Sequence, residues 1–324
     1  KDIKEELKNL EKELEEIYTY FSKPKKLDNF ICKELEEGKK KFGRKRRTIC
    51  KDVNVDNSLL IPDTNYTLFL TKQGYFKKIS LDLNIQGKGG KGRNCGKVKE
   101  GDYFISATNV NNRDNLLCFT SIGRVFQLKV HEIQESTLTT LGQPAGSYFQ
   151  LKSDEKIINL LSLSNQQLTS DDAYLIFLTK EGLIKKTSIK NYQSIQKTGI
   201  IALRLNEGDS LVSVIYIEKE SDILISTKNG IGIRFRTEEI PISLRISLGV
   251  KSITFLEEGD ETTSLNVINE NNKILLVTSN GNGKQIEFSS IPPQNRGKKG
   301  KILIKMKLGE KLITAMPVSS DDKI

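Results

Sequence analysis

Apolar residues recur at spacings of three and four through the first part of the chain. Leu7, Leu10, Leu14 and Ile17 fall on one helical face with Glu and Lys between them, which predicts an amphipathic helix. Ser22-Lys23-Pro24 breaks the pattern and reads as a turn, because proline cannot donate a helical hydrogen bond. A second amphipathic segment runs from about Leu27 to Phe42, with Phe30, Ile31 and Leu35 on its apolar side. It stops at Gly43, ahead of the basic run Arg44-Lys45-Arg46-Arg47. Two such helices cannot enclose a core alone, so they read as the end of a longer helical element.

From about Val53 the pattern changes to short runs of Ile, Leu, Val, Thr and Phe broken by X-Gly pairs, which is β composition. Five segments share one layout, an apolar strand with a Thr three residues before a Gly. The pairs are Thr71 and Gly74, Thr120 and Gly123, Thr179 and Gly182, Thr227 and Gly230, and Thr278 and Gly281. A second mark follows four of these glycines at a similar distance: Glu100-Gly101-Asp102, Glu207-Gly208-Asp209, Glu258-Gly259-Asp260 and, more loosely, Leu308-Gly309-Glu310. Ser153-Asp154-Glu155 takes its place in the second repeat. Two phased marks identify an internal repeat.

Each repeat predicts a tight hairpin, since glycine accepts the positive φ of such a turn. A four-stranded sheet of roughly 50 residues cannot cover both its faces, so copies must stack, and a ring leaves only short edges. The expected architecture is mainly β, a propeller-like disc of repeated four-stranded blades preceded by two α-helices. Five repeats are complete. Asp321-Asp322-Lys323-Ile324 resembles Asn271-Asn272-Lys273-Ile274, so a sixth repeat is expected to be opening where the sequence stops. The expected division is 1–47 helical and 48–324 β.

Composition narrows the chemistry. Lys plus Arg number 51 against 41 acidic residues, a formal net charge of +10, which points to a polyanionic partner. A single histidine, His131, and four cysteines without a C-x-x-C pair leave no metal framework and no Ser-His-Asp triad. No apolar run is long enough to span a bilayer.

Basic residues follow the hairpin glycines in register. Lys77 and Lys78, Arg124, Lys185 and Lys186, Arg234 and Arg236, and Lys284 are expected to recur along one exposed rim, where they would meet a bent phosphate backbone. The densest signal is Gln86-Gly87-Lys88-Gly89-Gly90-Lys91-Gly92-Arg93. Its glycines would let backbone N–H groups approach phosphate while Lys88, Lys91 and Arg93 supply charge; it does not match a nucleotide-binding P-loop. Arg296, Lys298 and Lys299 form a weaker echo in the fifth repeat.

The run from Gln86 to Gly92 resembles the heptad known as the box of the DNA gyrase A family, whose pattern is Gln, two basic residues and Gly-Gly-Lys-Gly. Gly87 departs from it. Phe42-Gly43 through Arg46-Arg47-Thr48 is similar to the segment that closes that family's breakage-reunion region. Ile200 to Asp209 and Gly249 to Ile253 are similar to its third and fourth blade exits. The resemblance implies a C-terminal β-pinwheel that wraps double-stranded DNA around a positive rim, so that strand passage has one handedness and negative supercoils result. It places the box in the connection that closes the first blade against the last.

It further implies a role within an ATP-dependent type II topoisomerase. The cleaving tyrosine would lie outside this chain, and ATP and Mg2+ would be used through the gyrase B protein in an A2B2 holoenzyme. The resemblance gives this chain no catalytic residue, no metal and no cofactor. It implies a monomer when the chain is isolated, no membrane partner, and a location in the bacterial cytoplasm with the nucleoid or in an organelle. Two other readings remain open on the residues: the C-terminal domain of the corresponding topoisomerase IV protein, with weaker wrapping and decatenation, and a protein-interaction scaffold without DNA.

Overall fold

A computed structural model describes residues 2–44, 61–80 and 96–319. The chain divides into two units, Lys1–Val55 and Asp56–Ile324.

The first unit holds α1 (Asp2–Ser22) and α2 (Pro24–Phe42). Proline opens α2 in its first turn, where a missing N–H costs nothing, so this helix begins three residues before the start that the apolar pattern suggests. Tyr20 and Phe30 stack across the turn with ring centroids 5.0 Å apart. Leu7, Leu10, Leu14 and Ile17 remain exposed along α1. No described helix is long and apolar enough to cross a membrane.

The second unit is a five-blade β-propeller. Each blade is built on one of the five hairpins: Asn65–Thr71 with Tyr75–Ser80, Asn115–Thr120 with Arg124–Lys129, Tyr174–Thr179 with Leu183–Ser188, Asp222–Thr227 with Ile231–Arg236, and Lys273–Thr278 with Gly283–Glu287. The strand after each hairpin returns beside the first hairpin strand: Phe104–Asn111, Ile157–Leu163, Leu211–Ile217, Thr262–Ile268 and Leu312–Val318.

The fourth strand does not come from the same repeat. Gln143–Pro144 closes blade 1, Ile200–Ile201 blade 2, Val250–Lys251 blade 3 and Lys301–Ile302 blade 4, each supplied by the following repeat. One sheet per repeat is therefore replaced by an exchanged arrangement. Among the described residues, blade 5 has three strands.

The repeat marks lock this geometry. The hairpin glycines Gly74, Gly123, Gly182, Gly230 and Gly281 all take φ between 76° and 81°. The preceding Thr turns its hydroxyl onto the residue after the glycine, accepting from Tyr75 N at 3.1 Å, Arg124 N at 3.2 Å, Leu183 N at 3.2 Å and Ile231 N at 3.3 Å. The acid of the second mark folds back on the same turn. Asp102, Asp209 and Asp260 accept from Gln73 N, Glu181 N and Asn229 N, each at 3.0 Å, while Glu155 and Glu310 accept from the hydroxyls of Thr120 and Thr278. The two marks are phased because they are two halves of one capped turn.

The apolar residues form cores between blades rather than within them. Leu70, Phe76, Phe126 and Phe149 join blades 1 and 2; Phe119, Phe177 and Tyr192 join 2 and 3; Ile176, Ile225 and Phe235 join 3 and 4; Leu224, Leu276 and Leu312 join 4 and 5. The hairpin strands of blades 1 to 4 are thus covered on both faces, which explains their nearly continuous burial, whereas Gly283–Glu287 of blade 5 is exposed.

Candidate nucleic-acid interface

The hairpin lysines do not stand on a rim. Lys77, Lys78, Lys185 and Lys186 are all buried, in contrast to the exposure expected from their register. They lie on central strands whose two faces are covered, so a charged side chain there can only run inward to a polar partner. Lys77 Nζ donates to Leu138 O at 2.9 Å, and Lys78 Nζ to Val130 O at 3.2 Å while lying over the Tyr66 ring. Lys185 Nζ donates to the carbonyls of Ala202, Leu244 and Arg245. Lys186 pairs with Glu220 over the Tyr174 ring.

Burial lowers the Lys78 ammonium below the ordinary lysine range, against an upward pull from Glu135. Burial, with the Arg245 guanidinium adding to it, brings Lys185 down to about 7. These lysines tie the hairpins of blades 1 and 3 to the following repeat.

Two arginines of the set are also committed internally. Arg124 pairs with the fully buried carboxylate of Glu155 at 2.7 Å, donates to Thr198 O and covers the Phe126 ring. Arg234 pairs with Asp222 at 2.7 Å, donates to Ile291 O and stacks 3.6 Å from the Phe288 ring centroid. Arg236 is exposed beside Glu238, and Lys284 is exposed. Arg296 is half-buried, its guanidinium donating to Lys251 O at 2.6 Å and Glu239 O at 3.1 Å. Lys298 and Lys299 are exposed. Gln86, Lys88, Gly89, Gly90, Lys91, Gly92 and Arg93 lie outside the described residues.

Further cations open to solvent sit on the segments that lead into and out of two of the exchanged strands. Lys197 and Arg204 flank Ile200–Ile201, and Lys298, Lys299, Lys301, Lys305 and Lys307 surround Lys301–Ile302; all are exposed and none forms an ion pair among the described residues. Adjacent segments are stitched together. Arg204 N donates to Ser247 O, the Arg245 guanidinium to Ile201 O, Gly297 N to Ser252 O at 2.7 Å, and Thr254 N to Lys298 O at 2.9 Å. The outer edge from blade 2 to blade 4 is therefore one hydrogen-bonded belt.

The reading by hairpin register missed Lys197, Arg204, Lys301, Lys305 and Lys307. Aligning the repeats on Gly199, Gly249 and Gly300, which precede the exchanged strands, brings Lys197 into register with Lys298 and Arg204 with Lys305 and would have found those positions; Lys301 and Lys307 have no such counterpart. A belt of unpaired ammonium and guanidinium groups binds polyanions by releasing their counterions. Among the described residues no cluster of three or more His, Cys, Asp or Glu side chains could hold a metal.

This fold and edge define the class, a strand-exchanged β-propeller with cations carried on its exchange segments. The profile of the family described as DNA gyrase C-terminal domain, beta-propeller, matches residues 65–111, 114–164, 173–218, 221–269 and 272–319, one match per blade. The chain belongs to this family.

Relatives named as the A protein of DNA gyrase share 32% identity over 310 residues in Haloquadratum walsbyi and 35% over 230 residues in Streptococcus pneumoniae. These alignments cover 94% and 70% of this chain but 36% and 28% of those proteins, so the chain spans about a third of the relatives it matches. Among solved structures, the C-terminal domain of DNA topoisomerase IV superposes with a TM-score of 0.64 at 24% identity, over 80% of this chain and 79% of that one. The DNA gyrase A C-terminal domain does so with a TM-score of 0.54 at 19% identity, over 78% and 99%. These two likenesses concern the fold.

Proposed function

We propose that this propeller wraps double-stranded DNA as the C-terminal domain of a DNA gyrase A protein. In that role it gives strand passage one handedness and so contributes to negative supercoiling by an ATP-dependent type II topoisomerase. The observation that carries the reading is the belt of unpaired cations on the exchange segments, in a chain whose family match runs through all five blades. The reaction itself belongs to the holoenzyme. ATP and Mg2+ act through the gyrase B protein in an A2B2 assembly, and this chain supplies DNA binding and curvature in the cytoplasm or an organelle.

Within this reading the box bends DNA and the belt holds it. Nicked plasmid incubated with the 324-residue chain and sealed by ligase should show a linking-number shift. Changing Lys88, Lys91 and Arg93 to Ala should abolish the shift while weakening affinity only modestly, each lost phosphate contact lowering the salt exponent by about 0.9. A proportional loss of binding and wrapping would remove the separate role of the box.

Topoisomerase IV is the second reading, favoured by Gly87 at a position the box pattern reserves for a cation. It predicts a weak shift from the unaltered chain. No shift and no binding would leave the scaffold reading.

A further inference from the structure

Charge on the outer belt alternates from blade to blade. With the repeats aligned on the glycine before each exchanged strand, the positions two before, one before and five after are Lys197, Thr198 and Arg204 in the third repeat. In the fifth they are Lys298, Lys299 and Lys305, and in the fourth they are Ser247, Leu248 and Thr254. Across residues 237–260 the cations are Arg245 and Lys251 against Glu238, Glu239, Glu257, Glu258 and Asp260, whereas 288–310 carries its cluster of Lys and Arg against Glu310 alone.

The exposed places of the fourth-repeat segment are aliphatic instead: Ile242, Leu244, Ile246 and Leu248 are 60%, 80%, 54% and 41% exposed. Because each segment closes the preceding blade, clusters of cations stand on the edges of blades 2 and 4, and blade 3 between them presents mostly aliphatic surface with Lys251 as its exposed cation.

The interior mirrors this arrangement. Lys185 in blade 3 occupies the hairpin position held by Phe126 in blade 2 and Ile233 in blade 4, three residues after the turn glycine. Its ammonium reaches outward to the carbonyls of Leu244 and Arg245, directly beneath the aliphatic segment. Further cations on that segment would repel it in a poorly solvated site. Blade 3 therefore places a buried amine behind its aliphatic edge, where blades 2 and 4 place Phe126 and Ile233 behind cationic ones.

We propose that duplex DNA following this belt makes phosphate contacts at blades 2 and 4 and crosses blade 3 without any. The inference rests on the DNA-binding reading above. A duplex is stiff over the width of one blade, its persistence length being about 150 bp, so it can bridge the gap. The hydrogen-bonded stitching of the belt fixes the width of that gap.

The test is the salt dependence of affinity of the 324-residue chain for linear duplex DNA, read by fluorescence anisotropy across a KCl series. Lys197→Ala with Arg204→Ala, and separately Lys298→Ala with Lys299→Ala, should each reduce the salt exponent by about 1.8, or about 0.9 per lost contact. Lys251→Ala on blade 3 should leave the exponent unchanged. Leu248→Lys should raise it by about 0.9, because it places a cation beneath the bridging duplex. All these side chains are exposed, and a matching urea midpoint checks each variant's fold; Gln substitutions repeat the test where an Ala variant lowers it.

A loss at Lys251→Ala equal to that at a single blade 4 lysine overturns the alternation, and no gain from Leu248→Lys overturns the path over blade 3. An unaltered chain whose DNA binding is absent or independent of salt overturns the wrapping reading as well.

Discussion

Lys185 holds two exchange segments by three backbone carbonyls, Ala202 in one and Leu244 and Arg245 in the next, from a site where its charge is disfavoured. Its proton is lost near pH 7 in the fold and near 10.5 in the unfolded chain. Between those values the unfolded chain binds the extra proton, so this group makes stability rise with pH across that window. Lys185→Met should lower stability by about 1–3 kcal/mol through the orphaned carbonyls. The gap between the two proteins should also widen from about pH 7 to about pH 10, as urea unfolding would show. A gap independent of pH would mean that the lysine stays charged. Arg124 offers a second case, because Glu155 has no exposed side-chain surface. Arg124→Ala should cost about 3–5 kcal/mol by stranding that carboxylate. It should leave the salt exponent for DNA unaltered in protein that remains folded.

At the level of the blade, the exchanged strand makes equivalent turns unequal. Gly123 and Gly281 share nearly the same φ (76° and 77°), yet a Cβ on Gly123 would meet Leu203 O at 2.6 Å, whereas one on Gly281 would enter open space. Gly281→Ala should therefore cost only the left-handed backbone strain, about 1–2 kcal/mol. Gly123→Ala should cost distinctly more, since backbone of the exchange segment must shift. Equal losses in urea midpoint would show that the exchange segment yields freely. The turn chemistry itself was legible in the sequence: a Thr, a glycine and a later acid at fixed offsets are local requirements of one capped turn. The exchange was not legible, because strands of two residues such as Ile200–Ile201 carry no periodicity and their pairing is non-local.

For the propeller as a whole, the proposed function has DNA held by phosphate contacts along the outer edge rather than by base reading. Affinity should vary little between unrelated duplexes of equal length, with a preference for sequences that bend easily, such as those with TA and CA/TG steps. Competition between a flexible and an A-tract duplex measures this, and strong selection for one short site would contradict it.

Spacing along the chain is enough to give the repeat number, the hairpins, the two helices and the family, since each depends on local intervals or on a short run of residues. The net charge also points to the polyanion partner of the proposed function. Which cations can meet that partner is a matter of tertiary packing. Lys77, Lys78, Lys185 and Lys186 share a register that would be solvent-exposed in an isolated hairpin, and packing between blades buries them against carbonyls, rings and Glu220. Lys197, Arg204, Lys298 and Lys305 sit in irregular segments that exchange between repeats, and it is the exchange that brings them onto one edge. Charge is written in the sequence, but exposure is set by what packs against each side chain, and in a stacked repeat that neighbour comes from another blade.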